Sequence, residues 1–179
     1  MSVLSSVQFL TLVALLGAAV FTDLRERRIP NRLTVSGLLV GLMIATVMEG
    51  GLPLTALAGA GLAIVVALPF VALGGLGGGD AKLLIAVGAF VGPAGLLSVA
   101  LYGGLAGGLL AVGSAIRRGT IIPVLLNSTK LFVHLISLGR RGERFGLDSP
   151  NAHSVPYGLA IAAGALATWF VPISLGVTP

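Results

Sequence analysis

The sequence predicts an all-α polytopic membrane protein with about six transmembrane helices and one interfacial amphipathic helix. Three observations predict it. Of the 179 residues, 56% are hydrophobic and 9% are charged, against about 25% charged in ordinary soluble domains. Several apolar runs reach the roughly 20 residues that cross a hydrocarbon core of about 30 Å. Lys and Arg are gathered into a few polar stretches between those runs. Residues 1–179 therefore read as a single integral-membrane domain with no separate soluble domain. The absence of cysteine excludes disulfides, thiolate zinc sites and a cysteine nucleophile.

The first span covers residues 3–22. A cleavable signal peptide carries its positive charge before the apolar region. Here Arg25, Arg27 and Arg28 follow it, which favours a retained helix with its C-terminal end inside. Pro30 is expected to open the second span, because proline at the first helical turn gives up an N–H that has no partner there. That span runs to about Val47, and Glu49 to Pro53 form a short outer turn. The third span covers Leu54 to Leu73. Pro69 removes an intrahelical hydrogen bond near its inner end and is expected to bend it.

Five glycines crowd the stretch Gly74-Gly75-Leu76-Gly77-Gly78-Gly79 before Asp80 and Lys82. Such a segment is expected to be non-helical. Irregular backbone at membrane depth is tolerated only where it is buried in protein or lines a wet cavity. A short fourth span follows from Ala81 to Val91, then a turn at Gly92-Pro93-Ala94-Gly95, then a fifth span from Leu96 to Ile116. Between Arg117 and Arg144, the polar residues Asn127, Lys130, His134 and Ser137 recur at i, i+3, i+7 and i+10, one stripe of a helix. Basic residues flank both ends of that segment, so it should lie in the interface. Ser154-Val155-Pro156 offers a cap and a first-turn proline, and the last span covers Tyr157 to Val171.

With six spans and the N-terminus outside, all eleven Lys and Arg residues fall on the cytoplasmic side, as the positive-inside rule requires. This accounts for the net charge of +5 without nucleic acid. It also puts Asp23 and Asp80 on one face, at the inner ends of the first and fourth spans. An acidic residue at the edge of a membrane helix is costly and points to function. Two carboxylates in one site cannot both ionise readily, so the pair shares a proton. One member can then act as base towards a water while the other polarises a carbonyl and protonates the leaving amine. The bland alternative is that each aspartate pairs with a neighbour at headgroup level, Asp23 with Arg25, Arg27 or Arg28, and Asp80 with Lys82.

The stretch Asp23 to Asn31, of the form D-x-R-x-R-x-I-P-N, together with Gly77-Gly78-Gly79-Asp80-x-Lys82, resembles the type IV prepilin peptidase family, the G-x-G-D aspartic membrane proteases. Val155-Pro156-Tyr157-Gly158 is similar to the start of that family's last helix. The resemblance implies a membrane-embedded aspartic endopeptidase that removes the leader of a prepilin at the cytoplasmic face of a bacterial inner membrane. It implies Asp23 and Asp80 as the catalytic pair, with Gly77, Gly78, Gly79, Lys82, Pro30 and Asn31 shaping the site, and no cofactor or metal. Large bifunctional members carry an extra cytoplasmic region near the N-terminus, often with a four-cysteine zinc site, and also N-methylate the new terminus. This chain has only the Asp23 to Arg32 loop in that position. It looks more like the short peptidase-only members associated with Flp-type pili; archaeal preflagellin peptidases share the aspartate logic.

Other classes read less well. The glycine run lacks the G-x-x-x-x-G-K-[ST] spacing of a phosphate loop. His134 and His153 stand apart from other ligand types and read as interfacial polar groups. The pairs Gly37/Gly41, Gly88/Gly92 and Gly103/Gly107 permit close helix packing, inside one chain or in a homodimer. A small proton- or cation-coupled transporter using the two aspartates is the alternative from another class, and a non-catalytic subunit of a secretion assembly is a third. The expected partners are the prepilin substrate and the lipid bilayer.

Overall fold

The computed structural model describes residues 3–72, 75–119 and 157–171. Among them are five helices: α1 (Val3–Glu26), α2 (Asn31–Glu49), α3 (Leu54–Ala72), α4 (Gly78–Arg118) and α5 (Tyr157–Phe170). Helices α1 to α4 are long and apolar enough to cross a membrane, and α5 is a shorter apolar helix. The chain is a helical membrane protein. The expected amphipathic helix with Asn127, Lys130, His134 and Ser137 lies outside the described residues, as does His153.

The elements depart from the expected six separate spans at one place. The fourth and fifth expected spans form the single element α4, broken at Gly92, whose φ of 69° and ψ of −178° are non-helical. A four-residue turn was expected from Gly92 to Gly95. The break needs only one residue, because Pro93 has the fixed φ and missing N–H that suit the start of a new helical segment. The segment 78–91 packs on α3 and the segment 93–118 on α5. Gly103 and Gly107 meet Ala160 near the start of α5, while Val99 meets Gly164 further along. The second segment of α4 therefore runs antiparallel to α5.

Two further boundaries differ from expectation. The first helix runs past the expected end at residue 22 to Glu26, and Pro30 does not open α2 from within. It precedes the first helical residue, Asn31, with an extended ψ of 137°, and its carbonyl accepts the N–H groups of Leu33 (3.0 Å) and Thr34 (3.3 Å). Proline thus acts as the half-in residue before the helix. The third span contains Pro69, as expected, and runs to Ala72.

Small residues make the interior. Ala19, Ala63, Ala86 and Ala165 are fully buried, while Leu10, Val65, Leu68 and Leu109 are well exposed. That distribution suits lipid, where apolar side chains gain little by moving inward and association rests on close packing. The tightest contacts are backbone to backbone. A Cβ on Gly88 would lie 2.6 Å from the Gly59 carbonyl oxygen, and one on Gly59 would collide with the Gly88 carbonyl oxygen. A Cβ on Gly164 would lie 2.6 Å from both the Gly103 nitrogen and the Val99 oxygen. The glycine pairs read from the sequence are used within the chain. Gly37 receives the Leu15 side chain and Gly41 the Phe90 ring. Larger side chains (Leu12, Leu83 and Leu96, all fully buried) fill the space between the helices.

The break in α4 frees carbonyl groups that no i+4 amide can reach, and an unpaired carbonyl in hydrocarbon is costly. Gln8 answers one of them. Its Nε2 donates to the Phe90 carbonyl at 2.5 Å, which ties the start of α1 to the end of the first α4 segment. Nearby, Phe9 packs against Trp169 at 4.9 Å between centroids, and the Tyr102 hydroxyl donates to the Val171 carbonyl at 3.1 Å. These contacts fix the C-terminal end of α5 against the start of α1, so α1 and α5 are antiparallel and the end of α1 meets the start of α5.

Gln8→Leu keeps apolar bulk but leaves the Phe90 carbonyl without its donor. It is expected to cost about 1–3 kcal/mol, the penalty of one unsatisfied buried group. A lowered thermal unfolding midpoint of the purified protein in detergent would show it, and an unchanged midpoint would show that the bond carries no weight.

Candidate active site

Asp23 and Asp80 line one cavity of about 420 Å³ together with Arg27, Arg28, Ile29, Asn31, Gly77, Gly78, Gly79 and Lys82. Each aspartate reaches it by a different local device. Asp23 lies in the last turn of α1. The helix ends there because Arg27 adopts a left-handed φ of 50° and its N–H donates back to the Asp23 carbonyl at 2.9 Å. This is the single-bond left-handed helix ending, usually made by glycine. A non-glycine residue in that region costs roughly 1–2 kcal/mol, and such outliers gather at functional sites.

A carboxylate in the last turn of a helix opposes the helix dipole. Asp23 finds its compensation elsewhere. Its Oδ2 accepts the backbone N–H of Gly158 at 3.1 Å. Gly158 is the second residue of α5, where N–H groups have no partner in their own helix. Asp23 thus caps α5 from another part of the chain, across 135 residues of sequence.

Asp80 sits on the favourable side of its own helix. The glycine run was expected to be non-helical with the next span starting at Ala81, but α4 begins at Gly78. The reason is a cap. Asp80 is the third residue of α4 and its carboxylate accepts the N–H of Gly77, the reach-back half of a capping box. The Ala81 N–H closes the first turn on the Gly77 carbonyl at 3.0 Å. The dipole of α4 favours negative charge at this end, which offsets the poor helix propensity of the glycines.

The three glycines have different surroundings. A Cβ on Gly77 would stand 2.8 Å from the Asp80 Oδ2, one on Gly79 would press the Ile29 Cβ at 3.3 Å, and one on Gly78 would meet nothing within 4 Å. Ile29 is itself buried, at 6% exposure. The loop between α1 and α2 is therefore pinned by Ile29 onto the first turn of α4, and this contact brings the two carboxylates to one place. Asp23 acts on Asp80 electrostatically, and Asp80 in turn acts on the Tyr157 hydroxyl.

The ion pairs of the bland reading do not form. Among the described residues neither aspartate is paired with an Arg or Lys. Lys82 instead donates from Nζ to Asn31 Oδ1 at 2.9 Å, which joins α4 to the start of α2 across the cavity. Pro30 does not line the aspartate cavity. It borders a neighbouring one of about 350 Å³ with Glu26, Arg28, Ile29 and Asn31. Five residues that sequence reasoning left out of the site have a clear place at it: Arg27, Arg28, Ile29, Tyr157 and Gly158. For the last two the available signal was a Tyr-Gly pair directly after a proline that could open a helix. Among the described residues no three His, Cys, Asp or Glu side chains are grouped to hold a metal ion.

The model of one protein family, described as the type IV leader peptidase family, matches residues 10–112. The match spans more than half of the chain and includes both aspartates and the glycine run, whereas α5 lies beyond it. No curated protein and no solved structure matches the chain.

The pinning of the loop can be read without an activity assay, because the chain has no cysteine of its own. A cysteine placed at Ile29 should react slowly with a water-soluble maleimide. Adding Gly79→Val should lift the loop and speed labelling by about tenfold, equivalent to about 1.4 kcal/mol of lost protection. Equal labelling rates would mean that Ile29 is not held by α4.

Proposed function

The chain belongs to the type IV leader peptidase family and is an aspartic peptidase; on that premise we propose that Asp23 and Asp80 are its catalytic pair. The reaction is removal of the leader of a type IV, Flp-type prepilin at the cytoplasmic face of a bacterial inner membrane. The observation that carries this reading is the convergence of the two carboxylates on one cavity, with neither paired to a cation among the described residues.

The arrangement suits general acid–base hydrolysis. The ionised carboxylate takes a proton from a water whose oxygen bonds to the scissile carbonyl carbon. The protonated carboxyl hydrogen-bonds to the carbonyl oxygen and stabilises the oxyanion that forms. When the tetrahedral intermediate collapses, the C–N bond breaks, the carbonyl re-forms and that carboxyl gives its proton to the leaving amine, so the pair again holds one proton, the one taken from water. One water is consumed, and a new carboxyl and a new amino terminus result. The reaction is confined to cleavage; N-methylation of the new terminus is outside this reading, since the loop joining α1 to α2 spans only a few residues.

Supporting the cytoplasmic orientation is the distribution of the eleven Lys and Arg residues, which a six-span topology collects on one side. In that topology the two segments of α4 on either side of Gly92 count as separate spans. Lipid would cover the exposed Leu and Val side chains of the helices. A substrate whose leader is polar and whose body is a membrane helix would present its scissile bond at the interface, at the depth of this cavity. A proton- or cation-coupled transporter would instead keep its carboxylates near the mid-plane.

Asp23→Asn and Asp80→Asn should each slow leader removal from a co-reconstituted Flp-type prepilin by at least about 10²–10⁴-fold, the range a positioned acid or base supplies, with normal accumulation in the membrane. Normal processing by either variant would remove that residue from the pair. The glycines give a finer test. Gly77→Ala is expected to displace the Asp80 carboxylate and cut the rate by about 10²-fold, the scale of a small misplacement, while Gly78→Ala should process at the wild-type rate.

A further inference from the structure

We propose that Gly158 is a positioning residue for Asp23: its amide holds the carboxylate in working orientation, and its missing side chain keeps that place open. The inference rests on the aspartic peptidase reading above. Asp80 is oriented by its own helix, through the Gly77 N–H. Asp23 has no such device in α1, whose end opposes a negative charge. Its described hydrogen-bond donor is the Gly158 N–H, 3.1 Å away on α5. The two carboxylates therefore differ in what holds them. Asp80 is set locally, and Asp23 is set by the docking of a helix far along the chain.

The position leaves no room for a side chain. A Cβ on Gly158 would lie 2.8 Å from the Asp23 Oδ2 and 3.3 Å from its Cβ and Cγ, and these three Asp23 atoms are its nearest neighbours. A methyl group there presses on the catalytic carboxylate and on nothing closer. Gly158 is buried, and its neighbour Tyr157 is within electrostatic reach of Asp80. The first turn of α5 thus touches the electrostatics of both aspartates while lying outside the matched segment 10–112. Moving α5 by even a small amount moves Asp23 relative to Asp80, and misplacement by about 1 Å costs on the order of 10²-fold in rate.

Two measurements test this. In steady-state cleavage of a prepilin-derived peptide in detergent micelles, normalised to folded protein, Gly158→Ala should lower kcat by about 10–10²-fold and leave KM within about twofold, the pattern of an interaction used only in the transition state. Gly41→Ala is the packing control. Its Cβ would press on the Phe90 ring at 3.0 Å and on the Ala89 Cβ at 3.3 Å, so it should lower the unfolding midpoint and leave kcat per folded molecule unchanged. An unchanged kcat in Gly158→Ala, or an equal fall in Gly41→Ala, would overturn the proposal. The second measurement needs no activity. Gly158→Ala should lower the unfolding midpoint in the wild-type background and lose most of that effect in Asp23→Ala, where the carboxylate contact at 2.8 Å is gone and only the Cβ contact at 3.3 Å is left. Additive midpoints in this cycle would also overturn it. If the wild-type protein cleaves no prepilin peptide, the peptidase assignment of the aspartates fails first, and the midpoint cycle still reports on the Asp23–Gly158 contact.

Discussion

In a bilayer, apolar side chains gain little by leaving lipid for protein, so this chain is held together by how closely its helix backbones approach. Gly59 against Gly88 and Gly164 against Val99 and Gly103 are contacts in which no side chain intervenes. They clamp the two segments of α4 between α3 and α5. Everything at the candidate site follows from that clamp. Asp80 rides at the start of α4, Gly158 at the start of α5, and the loop carrying Ile29 and Asn31 is seated on the first turn of α4. A side chain large enough to part the backbones would move one carboxylate relative to the other even though no site residue had changed.

Much of this was legible in the residues. The apolar runs give the helices, and the aspartates at their ends stand out because charge at membrane depth needs a reason. The glycine spacings announce close packing, and they pack inside the chain. What the sequence hid was of two kinds. Boundaries shifted where capping outweighed propensity. Three glycines should resist helix formation, but the reach-back of Asp80 to Gly77 starts α4 at Gly78, and Pro30 serves α2 from outside it. The other kind is long-range pairing. Nothing local to Asp23 shows that its donor is Gly158, because the bond depends on α5 running antiparallel to α1. Lys82 is similar. Its neighbour in sequence is Asp80, yet its partner is Asn31, and only the seating of the loop on α4 makes that visible.

The site also shows how one fold gives two aspartates unequal surroundings. One lies at the negative end of a helix and the other near the positive end of another. The cavity between them is lined by Arg27, Arg28 and Lys82, so its cations outnumber its carboxylates, and among the described residues no cation bonds directly to either carboxylate. The left-handed Arg27 belongs to this arrangement. Its backbone closes α1 directly after Asp23 has entered the cavity, which turns the chain towards Ile29 instead of letting the helix continue into water.

The bond from Gln8 to the Phe90 carbonyl joins positions 82 residues apart, and this has a consequence for how the protein is made. Synthesis proceeds from the N-terminus, so α1 meets the bilayer before the acceptor of its amide exists. Until α4 emerges, Gln8 lacks its native partner in a medium that penalises an idle polar group. The amide of the first helix therefore finds its acceptor only when the fourth arrives, and its contacts with α5 form later still. Assembly of the bundle thus joins a segment made early to segments made much later.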